Sequence, residues 1–149
     1  MRIYADSSFL ISLLNRGEKH HPTARRFYLS HPAAEWVTSA WSQFETLNGL
    51  RQLCLATPGN TPEQAEALRR LFKHWHERGN FAFEPTEPAD AIQECSQISS
   101  AHATALRMRS ADVLHVALLE QIEHDLFVTR DRDQHALAVS RAFKSQLLP

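Results

Sequence analysis

Apolar residues along this chain change their period several times, and each change marks an element. RIYA (Arg2–Ala5) is too short for a helix and carries Ile3 and Tyr4, so it reads as a strand. Ser7 and Ser8 then open a helix through Phe9, Leu10, Ile11, Leu13 and Leu14. NRGEKHHP breaks the pattern, TARRFYLS restarts a helix, and EWVTS (Glu35–Ser39) reads as a second strand. From Ala40 to about Ala56, Trp41, Phe44, Leu47, Leu50 and Cys54 recur at spacings of three and four, which predicts a long helix stopped by TPGNTP. The next segment, PEQAEALRRLFKHWHER, sets Ala65, Leu68, Leu71, Phe72 and Trp75 on one helical face and ends at Gly79-Asn80.

FAFE follows as a third strand. From Pro88 to about Arg107 the pattern predicts helix in two pieces, with Ala89, Ile92, Ile98 and Leu106 inward. RSADVLHVALLEQ (Arg109–Gln121) is apolar on nearly every side, as a helix packed in the middle of a domain is. Leu126 to Val128 is a fourth strand, followed by an acidic turn and a final helix. Strands alternating with helices predict an α/β fold: a parallel sheet covered on both faces.

Length and composition narrow this picture. The 149 residues fit one domain, 1–149, with 43% hydrophobic and 22% charged residues and no apolar run long enough to span a bilayer. The amino terminus enters a strand at once, with no export signal, so a soluble, cytoplasmic protein is expected. Cys54 and Cys95 lack CxxC spacing and read as reduced, half-buried thiols. A formal charge of -1 excludes gripping nucleic acid by bulk electrostatics, although Arg25-Arg26, Arg69-Arg70 with Lys73, and Arg107 with Arg109 form local basic clusters.

Chemistry enters through four of the 17 acids. Asp6 and Asp131 each follow an apolar strand, Asp112 opens the apolar helix, and Glu45 rides the long helix beside core aromatics. Ionised carboxylates beside apolar segments are costly unless paired or bound to a cation. Hard cations such as Mg²⁺ or Mn²⁺ take oxygen ligands, so one site holding all four would explain them. Taken singly, Asp6 and Asp112 also fit N-caps, Asp131 a turn former with Asp133, and Glu45 an exposed helix position. His115, three residues after Asp112, reads as a core histidine with a hydrogen-bonded ring. Spacing alone does not make the acids converge.

YADSSFLISLL, the mid-chain Glu45, RMRSADVLHVALL and LFVTRDRD together resemble the PIN domain, in particular the VapC-like toxins of prokaryotic toxin-antitoxin pairs. The resemblance implies a three-layer fold around a central parallel sheet of four or five strands, with carboxylates gathered at the strand ends. It implies Asp6, Glu45, Asp112 and Asp131 as catalytic, metal-binding acids, with Ser7, Thr129 and Asp133 supporting them. It further implies a Mg²⁺- or Mn²⁺-dependent endoribonuclease with an RNA substrate, a cognate antitoxin protein and a homodimer, for which Phe72 and Trp75 on the basic helix suggest a surface. Housekeeping RNA processing, a catalytically silent binding module and a metal-dependent phosphatase acting on small molecules are the alternatives. Gln134, where relatives often carry an aromatic, departs from the pattern.

Overall fold

The computed structural model describes residues 1–56, 61–102 and 108–149, with the backbone alone for residues 54–56 and 102. Its elements run β1 (Arg2–Ala5), α1 (Ser7–Leu14), α2 (His21–Leu29), β2 (Glu35–Ser39), α3 (Ala40–Ala56), α4 (Pro62–Glu77), β3 (Ala82–Glu84), α5 (Pro88–His102), α6 (Ser110–Leu119), β4 (Leu126–Thr129), α7 (Arg132–Ser140) and β5 (Ser145–Leu147). All strand pairs are parallel, in the order β3-β2-β1-β4-β5. The chain therefore grows outward from β1 on one side through β2 and β3, then on the other through β4 and β5. That reversal leaves a crevice beyond the carboxyl ends of β1 and β4, where open parallel sheets bind ligands.

Alternation along β1 divides the core in two. Ile3 and Ala5 join Phe9, Leu10, Trp36, Phe72 and Phe81 under α1, α3 and α4. Tyr4 faces the other layer, with Val37, Ile98, Val116, Phe127 and Leu137 under α5, α6 and α7. The result is the three-layer α/β arrangement that the alternation predicts. Among the described residues no helix is long and apolar enough to cross a membrane.

Several local expectations change. The second helix begins at His21 rather than Thr23, because Pro22 in its first turn needs no N–H partner there. A fifth strand, Ser145–Leu147, follows the final helix; three residues at a sheet edge carry no apolar run to announce it. On α3 the buried positions are Ser42, Thr46 and Leu50, while Phe44 is 58% exposed. The hydroxyls can be buried because each is bonded: Thr46 Oγ1 donates to the Ser42 carbonyl at 2.6 Å, and Ser42 Oγ meets the Tyr4 hydroxyl at 2.8 Å. On α5, Ala91 and Ile98 turn inward, whereas Ala89 and Ile92 face out. The expected second piece of that helix, with Leu106, lies outside the described residues, as does the Cys54 side chain.

Cys95 is a free, half-buried thiol, its pKa pushed up by burial and by Glu94. On α4 the apolar face is as expected, but Phe72 is buried and Trp75 stacks on Tyr28 and Phe81. Phe72 thus belongs to the monomer's own core, and the half-buried Trp75 packs against it. The helix ends in a Schellman turn: Gly79 N–H bonds the His76 carbonyl and Asn80 N–H the Trp75 carbonyl, each at 2.9 Å, with Gly79 at φ +72°.

Tyr4 ties the layers together. Its hydroxyl meets both Ser39 Oγ (2.9 Å) and Ser42 Oγ, and burial pushes its pKa up to about 12, so it remains a phenol. Tyr4→Phe is expected to cost about 1–2 kcal/mol in urea unfolding, because two buried serine hydroxyls lose a partner while staying 3.4 Å from each other. A variant as stable as the parent would show the network to be dispensable.

Candidate active site

Asp6 is fully buried at the end of β1. Its carboxylate caps α1 by accepting the Phe9 N–H at 2.8 Å, and it also accepts from Ser8 Oγ (2.9 Å to each oxygen) and Thr129 Oγ1 (2.8 Å). The same hydroxyls reach the next turn: Ser8 Oγ accepts the Arg130 N–H at 2.8 Å and Thr129 Oγ1 the Asp131 N–H at 2.9 Å. Ser8 and Thr129 thereby join the turns after β1 and β4. Asp131 in turn caps α7, one oxygen accepting the N–H groups of Asp133 (2.8 Å) and Gln134 (3.0 Å). Its other oxygen makes no hydrogen bond among the described residues.

Asp112, the third residue of α6, is not the N-cap but bonds back to it, accepting the Arg109 N–H at 2.9 Å. The exposed Arg109 guanidinium lies 3.8 Å from that same oxygen, and the second oxygen lies 3.5 Å from Gln134 Nε2. Glu45 reaches the same place from α3. One of its oxygens accepts from Ser7 Oγ at 2.8 Å and from Nε2 of the fully buried His115. Gly49, one turn further on, lets α1 approach closely, since a Cβ there would push the end of the Ile11 side chain aside.

A cleft of about 310 Å³ results, lined by Ser7, Ser8, Glu45, Asp112, Asp131 and Gln134, with Arg109 at its edge. Three of the four expected acids thus share one cleft. The fourth, Asp6, does not line it but is bonded to Ser8, which does. Of the supporting residues, Ser7 orients Glu45 and Thr129 holds Asp6, whereas Asp133 contributes its backbone N–H to Asp131. Sequence reasoning missed Ser8, Arg109 and Gln134 as parts of the site, and His115 as the partner of Glu45. The signal for His115 was its spacing: residues three apart on a helix share a face, so it follows Asp112 toward the cleft.

Electrostatics separate the acids. Burial raises the Asp6 pKa, against the pull of His115 and of the Phe9, Thr129 and Ser8 hydrogen bonds. Desolvation, not repulsion among carboxylates, is its main cause. Glu45 is partly desolvated too, but the His115 hydrogen bond and charge, helped by Ser7, bring its pKa below the ordinary value. Because the folded Asp6 pKa lies above the ordinary 3.8, the unfolded chain ionises first, and stability is lost as pH rises from 3.8 through the folded value. Asp6→Asn is therefore expected to melt higher than the parent at neutral pH without metal, the gap closing in acid below the ordinary carboxyl range. Scanning calorimetry across pH tests this; a variant that melts lower at neutral pH overturns the desolvation argument.

The PIN domain family model matches residues 3–140. The chain belongs to the PIN domain family. Among solved structures, this PIN domain is similar to VapC20 of Mycobacterium tuberculosis, described as a sarcin-ricin loop cleaving toxin, at 20% identity over 99% of each chain with a TM-score of 0.69. It is also similar to FitAcB of Neisseria gonorrhoeae (15% identity, 96% of this chain and 95% of that one, TM-score 0.66). A third is VapBC2 of Rickettsia felis, bound to a DNA fragment from their promoter (11%, 100% of each chain, TM-score 0.63). At these identities the likeness is one of fold. No curated protein matches the sequence.

The donor chemistry of the PIN cleft suits a hard cation, since Glu45, Asp112 and Asp131 offer carboxylate oxygens and no thiol is present. Among the described residues no three His, Cys, Asp or Glu side chains already converge as ligands. Each acid is instead turned to a local donor: Ser8 and Thr129 for Asp6, Arg109 N–H for Asp112, Ser7 and His115 for Glu45.

Proposed function

We propose that this chain is a single PIN domain, residues 1–149, acting as a metal-dependent endoribonuclease and as the toxin of a toxin-antitoxin pair. The observation that carries the reading is the cleft at the β1/β4 switch point, whose lining Glu45, Asp112 and Asp131 share, with Asp6 bonded to Ser8 behind it. A silent binding module would be expected to have lost one or more of these acids. The likeness to VapC20, a sarcin-ricin loop cleaving toxin, supports the substrate class at the level of a shared fold.

Asp6, Asp112, Glu45 and Asp131 would hold Mg²⁺ or Mn²⁺, directly or through water. Such an ion activates water at neutral pH and offsets charge on the phosphate and the departing oxygen. The chain's own residues do the positioning. Ser7 and His115 fix the Glu45 carboxylate from two sides, while Ser8 and Thr129 hold Asp6 in its cap. Arg109, the one cation lining the cleft among the described residues, reaches a phosphate from the exposed side.

A cytoplasmic enzyme of this kind needs restraint, and an acidic cleft attracts an arginine as readily as a metal. The cognate antitoxin should therefore insert a basic, initially disordered arm near Asp6 and Asp112. For the homodimer, Met108 and Leu114 in the groove between α5 and α6, with the 62% exposed Ile92, form an apolar surface. The decisive experiment incubates the protein with Mg²⁺ or Mn²⁺ and a mixed RNA pool beside single-stranded DNA. Metal-dependent cleavage of RNA alone is expected; a chain inert toward RNA sinks the reading. Harmless expression of an RNA-cleaving chain would favour housekeeping RNA processing over a toxin.

A further inference from the structure

Resting on the ribonuclease reading, we infer that a single-stranded RNA engaged in the cleft continues over the outer face of α3 into a second site, the groove between α3, α4 and β3. The cleft alone is poorly made to hold a polyanion. Its lining is acidic, with Arg109 as its single cation among the described residues, and the chain as a whole carries a formal charge of -1. The phosphates on either side of the cut need cations elsewhere.

The groove supplies them. It has a volume of about 580 Å³, an apolar floor that includes Leu47, Phe72 and Phe81, and a rim of Arg69, Arg70 and Lys73 from α4. These cations are little used within the molecule. Arg69 and Lys73 approach Glu66 and Glu77 at only 3.7 and 3.8 Å along the exposed helix face, and Arg70 makes no ion pair among the described residues. Exposed pairs of that kind contribute little and yield readily to a phosphate.

The helix between the two sites carries the path. At 100° per residue, Glu45 and Asn48 of α3 face the cleft, Gln43 and Leu47 line the groove, and Phe44 and Arg51 fall on the solvent arc between them. Phe44 is 58% exposed and Phe83, on the edge strand beside the groove, is 50% exposed. Aromatic faces presented to water between cations are what nucleobases stack on, whatever their sequence. A helix is about 10–12 Å across, so one strand reaches both sites. An acidic peptide could use the same rim, but the aromatic and cationic crest running on toward Glu45 favours the RNA.

Two measurements test this. The first is fluorescence anisotropy of a labelled oligouridylate of about twenty nucleotides, titrated at several salt concentrations in EDTA so that no cleavage occurs. The second is cleavage of a dinucleotide reporter, too short to leave the cleft, in Mn²⁺. The double variant Arg70→Glu, Lys73→Glu should lower the salt slope by about 1.4, since each phosphate contact to a single strand contributes about 0.7. Phe44→Ala should weaken binding about tenfold through lost stacking. All these positions are exposed, so melting temperatures and dinucleotide cleavage should match the parent. Oligouridylate binding that is absent in EDTA, or unchanged in the variants, overturns the inference. So does a groove that binds a glutamate-rich peptide in preference to RNA. Groove-dependent binding with no cleavage of either RNA supports the groove and overturns the ribonuclease reading; dinucleotide cleavage with groove-independent binding does the reverse.

Discussion

Asp112→Asn should reduce metal-dependent RNA cleavage by about a thousandfold or more, with no loss of fold. The scale is that of removing one preorganised charged group from a reacting centre. The fold survives because an asparagine oxygen can still accept the Arg109 N–H that Asp112 accepts at 2.9 Å. What the variant loses is an ionic partner for Arg109, whose exposed guanidinium pairs weakly in any case. Asp6→Asn should lose activity to a similar degree, and because its carboxylate is buried it should gain stability without metal. Added Mn²⁺ should narrow that gap, because a cation offsets the buried charge only where the charge exists. Initial cleavage rates and melting curves with and without Mn²⁺ decide it. Cleavage at the parental rate in both variants would remove the metal mechanism.

The largest stability effect should come from Phe9→Ala, at about 3–5 kcal/mol. Phe9 is fully buried, stacked on Trp36 at 5.3 Å with an interplanar angle of 2° and edge-on to Phe27 at 6.1 Å. Its truncation empties a space walled by aromatic rings that cannot close on it, and a domain of ordinary stability would be left only a few kcal/mol above unfolding. The cap on Asp6 uses the Phe9 backbone and would remain. The control is Phe44→Ala, which should change stability by less than about 0.5 kcal/mol because that ring packs little. Urea unfolding of both separates a core aromatic from an exposed one; equal costs would contradict the burial pattern.

Those two phenylalanines also show where the sequence was legible. The run Phe9, Leu10, Leu13, Leu14 has one apolar face, and the structure buries it. Phe44 belongs to an equally regular run on α3, yet it faces out while Leu50 is buried and Trp41 and Leu47 are half-buried, because Ser42 and Thr46 find hydroxyl and carbonyl partners inside. Periodicity counts apolar residues and does not see a buried hydrogen bond supplied by another element, here Tyr4 of β1. Strand order was out of reach for a similar reason. Nothing local in LFVT says that it pairs with RIYA, although that pairing brings Thr129, which bonds both Asp6 and the Asp131 N–H, to the end of β1. The acids stood out from their apolar surroundings, but the hydroxyls that stitch their turns together, Ser8 above all, read as ordinary helix starters. Arg109 looked like part of a basic cluster with Arg107 and became legible as a cleft residue only once Asp112 bonded back to its N–H.

The pairing of β1 with β4 also sets when this protein can become active during its own synthesis. Asp6 needs Thr129, 123 residues later, and Ser8 needs Arg130. A ribosome adding roughly 5–20 residues per second takes roughly 6–25 s to cover that distance. Until β4 emerges, β1 keeps one edge unpaired and the cleft lacks Asp131. A nascent chain is therefore harmless until its last strands emerge, and a message broken before β4 encodes only inert fragments.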